Sequence, residues 1–238
     1  MKIYEMLGIN EGKKEIISLV GAGGKSTIMQ ALAEECKGLG KRVLVTTSTR
    51  VLTSQLDFCD RLFYGHLADG YRPLEGSTTG LAKRIKGPKA IGMNLEELEE
   101  IHRREIFDLI IIEADGARTK PIKAHGPREP MVAPFSTITL GVIGLDSLGR
   151  PIDEDNVYRP ELLSGLLQVN MGDRLKEGDL ARYVLDRRGL FKDSRGKKVL
   201  FLNKAKGKKH IEQGQRIGKL LKDMGFDHIY VTDIGMDI

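Results

Sequence analysis

Apolar and polar positions along the chain alternate as strands and helices in turn. Ile16-Ile17-Ser18-Leu19-Val20 is a β-branched apolar run that breaks into the glycines of Gly21-Ala22-Gly23-Gly24. Beyond them Ile28, Ala31, Leu32 and Cys36 recur at helical spacing, and Gly40 marks a stop before a second strand, Arg42–Thr47. Residues 1–15 read as a short lead-in with one helical turn over Ile3–Leu7. From Asp60 to Gly92 the pattern weakens. Leu62–Tyr64 and Ala90–Gly92 are expected as short strands, an edge hairpin, flanking a helix-like Leu81–Ile85. A charged helix over Leu95–Ile101 presents a solvated face. Leu109-Ile110-Ile111-Ile112 is continuously apolar, the pattern of a parallel strand covered on both faces. Thr137–Gly144, Lys197–Leu202 and Asp227–Thr232 supply further strands, with a helix over Ile211–Met224. No strand is expected between Asp146 and Lys192. Helical stretches over Pro160–Leu167 and Leu180–Leu185 read there as an insert at around 146–195.

The first strand, its glycine loop and the helix opening at Lys25-Ser26-Thr27 together form what a nucleotide phosphate requires. Glycines let backbone N–H groups turn toward the anion, and the helix N-terminus adds its dipole. Lys25 adds a charge at the β/γ-phosphates, and Ser26 offers a hydroxyl to Mg²⁺. The eight-residue GxxxxGK[ST] form would place a glycine where the chain has Leu19. An ordinary glycine-rich turn is the competing reading, and Lys25-Ser26 at the helix start argues against it. With its alternating strands and helices the chain is expected to be a single α/β domain over 1–238. Its expected architecture is a P-loop NTPase-like, three-layer α/β/α fold with a mainly parallel sheet.

The apolar strand ends in Glu113-Ala114-Asp115-Gly116, at the sheet edge where ligands of open α/β folds bind. Glu113 or Asp115 is therefore expected to hold Mg²⁺ opposite Ser26, directly or through water. Glu113-x-x-Gly116 also resembles the D/E-x-x-G segment in which a glycine N–H senses a γ-phosphate. The hydroxyl-rich turn Thr46-Thr47-Ser48-Thr49 either orients water or Mg²⁺ there or caps a following helix. Arg118, Lys120, Lys123, His125, Arg128 and Glu129 are spaced by prolines in a long basic loop. It is a candidate lid or second-substrate surface, or else a solvated loop.

A net charge of +5 among 238 residues, with 5% aromatics and no Trp, describes a basic surface without the interleaved aromatics of a nucleic-acid binder. No apolar run reaches membrane-spanning length, and the N-terminus lacks the apolar core of a signal peptide. The two cysteines, Cys36 and Cys59, lie in no metal-binding cluster. A cytoplasmic protein without nucleic-acid or membrane partners is expected.

Taken together, VGAGGKST, VLVTTSTRV, IIIEADGAR, GVIGLDSLGRPID, NVYRPELL and FLNKA resemble the YqeC family. These are accessory proteins associated with selenium-dependent molybdenum hydroxylases. The resemblance implies a P-loop protein that binds ATP or GTP with Mg²⁺ and helps mature or load a molybdenum cofactor. The hydroxylase or its cofactor would be the partner. By the same resemblance Gly21, Ala22, Gly23, Gly24, Lys25, Ser26 and Thr27 would bind phosphates. Lys25, Glu113 and Asp115 would serve catalysis, Ser26, Glu113 and Asp115 the metal, and Asn203 with Lys204 would frame the base. Lys206 replaces the aspartate that reads guanine in NKxD segments, so ATP and GTP both stay open. Thr47, Arg118, Lys123, Glu129, Arg150 and Arg159 are candidates to meet an anionic substrate or partner. The expected activity is Mg²⁺-dependent NTP hydrolysis. Alternatives are a small-molecule kinase and a nucleotide-responsive binding protein with negligible turnover. A homodimer is expected by analogy alone.

Overall fold

In the structure, a computed structural model, residues 1–9 and 12–235 are described, so positions 10 and 11 of the lead-in lie outside the described residues. After α1 (Ile3–Leu7), the apolar runs become β1 (Glu15–Gly21), β2 (Arg42–Thr47), β8 (Leu109–Glu113), β10 (Ile138–Gly144) and β12 (Lys197–Asn203). With β4 (Arg61–Tyr64), β5 (Ser77–Ala82) and β13 (Ile229–Val231) they form one eight-stranded sheet. The order is β13-β12-β10-β1-β8-β2-β5-β4, and every neighbouring pair is parallel. Parallel neighbours need crossovers, and helices lie in several of them: α2 (Lys25–Gly38), α3 (Leu95–Arg103), α4 (Pro160–Leu167), α5 (Glu177–Leu185) and α6 (Gly207–Asp223), whereas the β4–β5 and β8–β10 connections carry none.

Strand side chains alternate between the two faces, and each face is covered. Ile17, Leu19, Val43, Val45, Ile111 and Val142 pack with α1 and α2. On the other face Ile16, Leu44, Ile110 and Ile112 pack with α3. Val20, Ile143, Leu200 and Leu202 pack there with α4, α5 and α6. The chain is therefore a three-layer α/β/α fold, and burial at all positions of β1, β8 and β10 follows from coverage on both faces.

Three expectations are corrected. Leu81–Ile85 is not helical: Leu81 and Ala82 close β5, and Arg84 opens β6 (Arg84–Lys86). Five helix-compatible residues cannot nucleate a helix alone, whereas Leu81 gains a ladder partner in Thr46. Leu62–Tyr64 and Ala90–Gly92 form no hairpin. β4 runs parallel to β5, while β7 (Lys89–Ile91) joins an antiparallel three-stranded sheet between β3 (Arg50–Leu52) and β6. The insert holds one strand, β11 (Val157–Tyr158), parallel to β9 (Ile122–Lys123) of the basic loop. Two-residue strands leave no period to read.

Candidate functional site

β1 leaves the sheet at Gly21. Gly21, Gly23 and Gly24 adopt φ of +95°, +92° and +117°, left-handed values that glycine takes without steric cost. Space is closed as well: a Cβ on Gly21 would lie 2.3 Å from Val142 O, and one on Gly23 2.1 Å from Gly144 N. The loop is wedged against the ends of β10 and β12. Ala22 N donates to Val142 O at 2.9 Å. Asn203 Nδ2 donates to Gly23 O at 3.0 Å, and its Oδ1 accepts from Ile234 N at 2.8 Å. α2 then starts with no side-chain cap and no acid in its first turn, which leaves its N–H groups and dipole to an anion.

Lys25 is 4% exposed and donates to Gly21 O at 2.6 Å. Its ammonium lies 2.9 Å from Asp115 Oδ1 and 3.6 Å from Glu113 Oε1. Burial opposes its charge, but the two carboxylates outweigh burial and raise its pKa. Glu113 Oε2 is 3.4 Å from Ser26 Oγ. Burial pushes the Glu113 carboxyl upward, and Lys25 only partly opposes this. Asp115 ends on the other side of its ordinary value. Burial would raise it, yet Lys25, Lys123, His125 and the Gly21 N–H hold it low. Gly21 N donates to Asp115 Oδ2 at 2.9 Å, and Lys123 Nζ and His125 Nδ1 each lie 3.3 Å from that oxygen. Burial, the largest influence on His125, keeps its pKa low despite Asp115. Glu113 thus faces the hydroxyl side of the loop, and Asp115 ties down its underside.

The structure brings Gly21, Ala22, Gly23, Gly24, Lys25, Ser26, Thr27, Glu113, Asp115 and Asn203 to one end of the sheet. Lys204, at φ +59°, pairs with Asp146 at 3.0 Å. Thr47 is committed to its own turn. Its Oγ1 donates to Glu113 O at 2.9 Å and accepts from Thr49 N at 3.0 Å. A strand, β3, follows instead of a helix, so the helix-cap alternative for this turn is overturned.

The basic loop is buried at its centre, while Arg118 and Arg128 are exposed. Lys123 is fully buried, donating to Gly116 O at 2.7 Å and to Glu129 Oε2 at 2.8 Å. Arg159 Nη1 donates to the same Glu129 oxygen at 2.7 Å, and Lys192 Nζ reaches Glu129 O at 2.8 Å. Arg118 lies over the Tyr158 ring at 5.1 Å, opposite no carboxylate among the described residues. Arg150 bonds instead to Asn156 Oδ1 at 3.3 Å, so Arg150 and Arg159 share no partner.

Two contributors are invisible in the sequence pattern. Tyr158, on β11, gathers Arg118, Lys123 and Arg159 around its ring. Gln55, on a 3₁₀ turn (Thr53–Leu56), donates from Nε2 to Ser26 Oγ while its Oε1 accepts from Leu52 N at 3.1 Å. A lone Gln in a polar turn carries no signal of its own.

A family model described as "YqeC protein" matches residues 17–161. The chain belongs to the YqeC family. It is also similar to the "Uncharacterized protein YqeC" of Escherichia coli (strain K12), 32% identical over 196 residues, 79% of this chain and 75% of that one. The matched span holds the Gly21–Thr27 loop, Glu113, Asp115, the basic loop and Arg159, whereas Asn203 and Lys204 lie beyond it. No helix among the described residues is long and apolar enough to cross a membrane.

Proposed function

We propose that the chain binds ATP or GTP with Mg²⁺ on the Gly21–Thr27 loop and hydrolyses it, as an accessory protein in maturation of the molybdenum cofactor of selenium-dependent hydroxylases. The observation that carries the nucleotide part is Lys25. A buried ammonium sits at the mouth of an uncapped helix, between two carboxylates of different protonation tendency. The molybdenum part rests on the resemblance of the YqeC motifs.

The donor set fits Mg²⁺. Ser26 Oγ and Glu113 Oε2 are hard oxygen donors 3.4 Å apart that would hold Mg²⁺ together with phosphate and water oxygens. Asp115, already held by Lys25, Lys123 and the Gly21 N–H, would act through the loop instead of on the metal. When bound, Mg²⁺ supplies charge neutralisation at the phosphates. The chain's own residues do the rest. Loop N–H groups and the α2 N-terminus hold the phosphates, Lys25 follows the charge that develops during phosphoryl transfer, and Asn203 keeps the loop in register.

Equilibrium binding of ATP and GTP, with and without Mg²⁺, tests this on wild type and on Lys25→Ala with its fold checked by melting. Mg²⁺-dependent binding that weakens at least tenfold in the variant is expected. Failure of wild type to bind either nucleotide would remove the proposal.

A further inference from the structure

The small antiparallel sheet β3-β7-β6 has one face that the core does not use. Its register aligns Val51, Ala90 and Ile85 in one cross-strand row, and Val51 and Ala90 are buried. Side chains alternate across a pleated sheet, so the rows on either side point away from the core. One outer row is Arg50, Ile91 and Arg84, and the other is Leu52, Lys89 and Lys86. All four cations in these rows are exposed, and Leu52 is 44% exposed. No carboxylate among the described residues pairs with Arg50, Arg84, Lys86 or Lys89 within ion-pair distance. Lys86 and Lys89 stand directly opposite each other, an arrangement that like-charge repulsion disfavours.

Charges on edge strands guard against unwanted pairing, which accounts for cations on β3 and β6. It does not account for Lys89, which lies on the central strand β7 with neighbours on both sides. We propose that this face, Arg50, Leu52, Arg84, Lys86, Lys89 and Ile91, is a docking surface for an acidic protein segment bearing aliphatic side chains. An anionic partner relieves the clustered positive charge, and Ile91, flanked by Arg50 and Arg84, together with Leu52 on the edge strand beside Lys89, supplies apolar contact next to the cations. A single-stranded nucleic acid would call for stacking rings, and neither outer row contains one. None of its residues belongs to the Gly21–Thr27 loop, and Gln55 is the bridge between Leu52 N and Ser26 Oγ.

The test uses the full chain and a random copolymer of glutamate and leucine as probe, with oligothymidylate and phosphatidylserine vesicles as competing probes. The copolymer should bind wild type most tightly of the three. Arg84→Glu/Lys86→Glu/Lys89→Glu should weaken it at least tenfold. Leu52→Ser, an exposed change that leaves the fold in place, should weaken it severalfold. Lys206→Glu/Lys208→Glu/Lys209→Glu carries the same charge change at the start of α6 and should have little effect. The proposal is overturned by equal losses in the two triple variants, by tighter binding of oligothymidylate or vesicles, or by no copolymer binding to wild type.

Discussion

Glu113 and Asp115 sit two residues apart at the end of β8, and their surroundings drive them in opposite directions. Asp115 is ionised by three nearby nitrogens of Lys25, Lys123 and His125 together with the Gly21 N–H. Glu113 has Lys25, at 3.6 Å, and the Ser26 hydroxyl, at 3.4 Å, against full burial and the charge of Asp115. Their surroundings thus leave one acid as a fixed anion and the other as a carboxyl whose charge is costly. The folded pKa of Glu113 lies above its ordinary value of 4.5, so its contribution to stability is most favourable below 4.5 and is lost as pH rises through the folded pKa. Above 4.5 the raised pKa is a cost to the fold. Glu113→Gln should therefore stabilise the fold by about 0.5–2 kcal/mol at pH 8 and less at pH 4.5, while abolishing turnover. Urea melts at the two pH values measure this, and a variant less stable at pH 8 would contradict the assignment.

At the scale of elements, Gln55 joins two parts of the molecule whose strands do not pair. Its amide nitrogen occupies the Ser26 hydroxyl, and its amide oxygen holds Leu52 N at the end of β3. A hydroxyl that accepts from Gln55 offers less of its lone-pair density to a cation. Gln55→Ala should tighten Mg²⁺ binding to the protein–nucleotide complex about two- to tenfold, the range expected for one net hydrogen bond. It should also speed amide exchange at Leu52. Unchanged or weaker Mg²⁺ affinity would show that Gln55 does not compete for Ser26. Gln55 also marks the limit of what is legible in the sequence, since its partner is 29 residues away and no period links them. The buried strands are legible because Leu109–Ile112 is apolar without interruption and Thr137–Gly144 nearly so, as burial on both faces demands. Lys25, Ser26 and Glu113 are legible because the strand-loop-helix order fixes their place. Leu81–Ile85 misleads because local helical spacing loses to pairing with β2. Lys123 misleads because its burial depends on Asp115 and Glu129, which no local pattern predicts.

The whole molecule hangs on β1, whose neighbours β8 and β10 supply the acids and the wall of the Gly21–Thr27 loop. All positions of these three strands are buried, so their amides should exchange only when the chain unfolds globally. The edges differ: β4 and β13 have no fully buried position, so their amides should open locally. A ligand that binds only the folded chain stabilises it by RT ln(1 + [L]/Kd), about 2.7 kcal/mol at a hundredfold excess over Kd. Where exchange follows the equilibrium population of the open chain, Mg²⁺-nucleotide at that excess should slow β1, β8 and β10 amides about a hundredfold. Local opening at β4 and β13 leaves the site intact, so the amides there should hardly change. Residues 21–27 and 46–56 should slow as well, by direct contact and through Gln55. Uniform slowing that included both edges would mean that the sheet opens as a single unit, and slowing confined to 21–27 would mean that loop occupancy is not linked to the stability of β1.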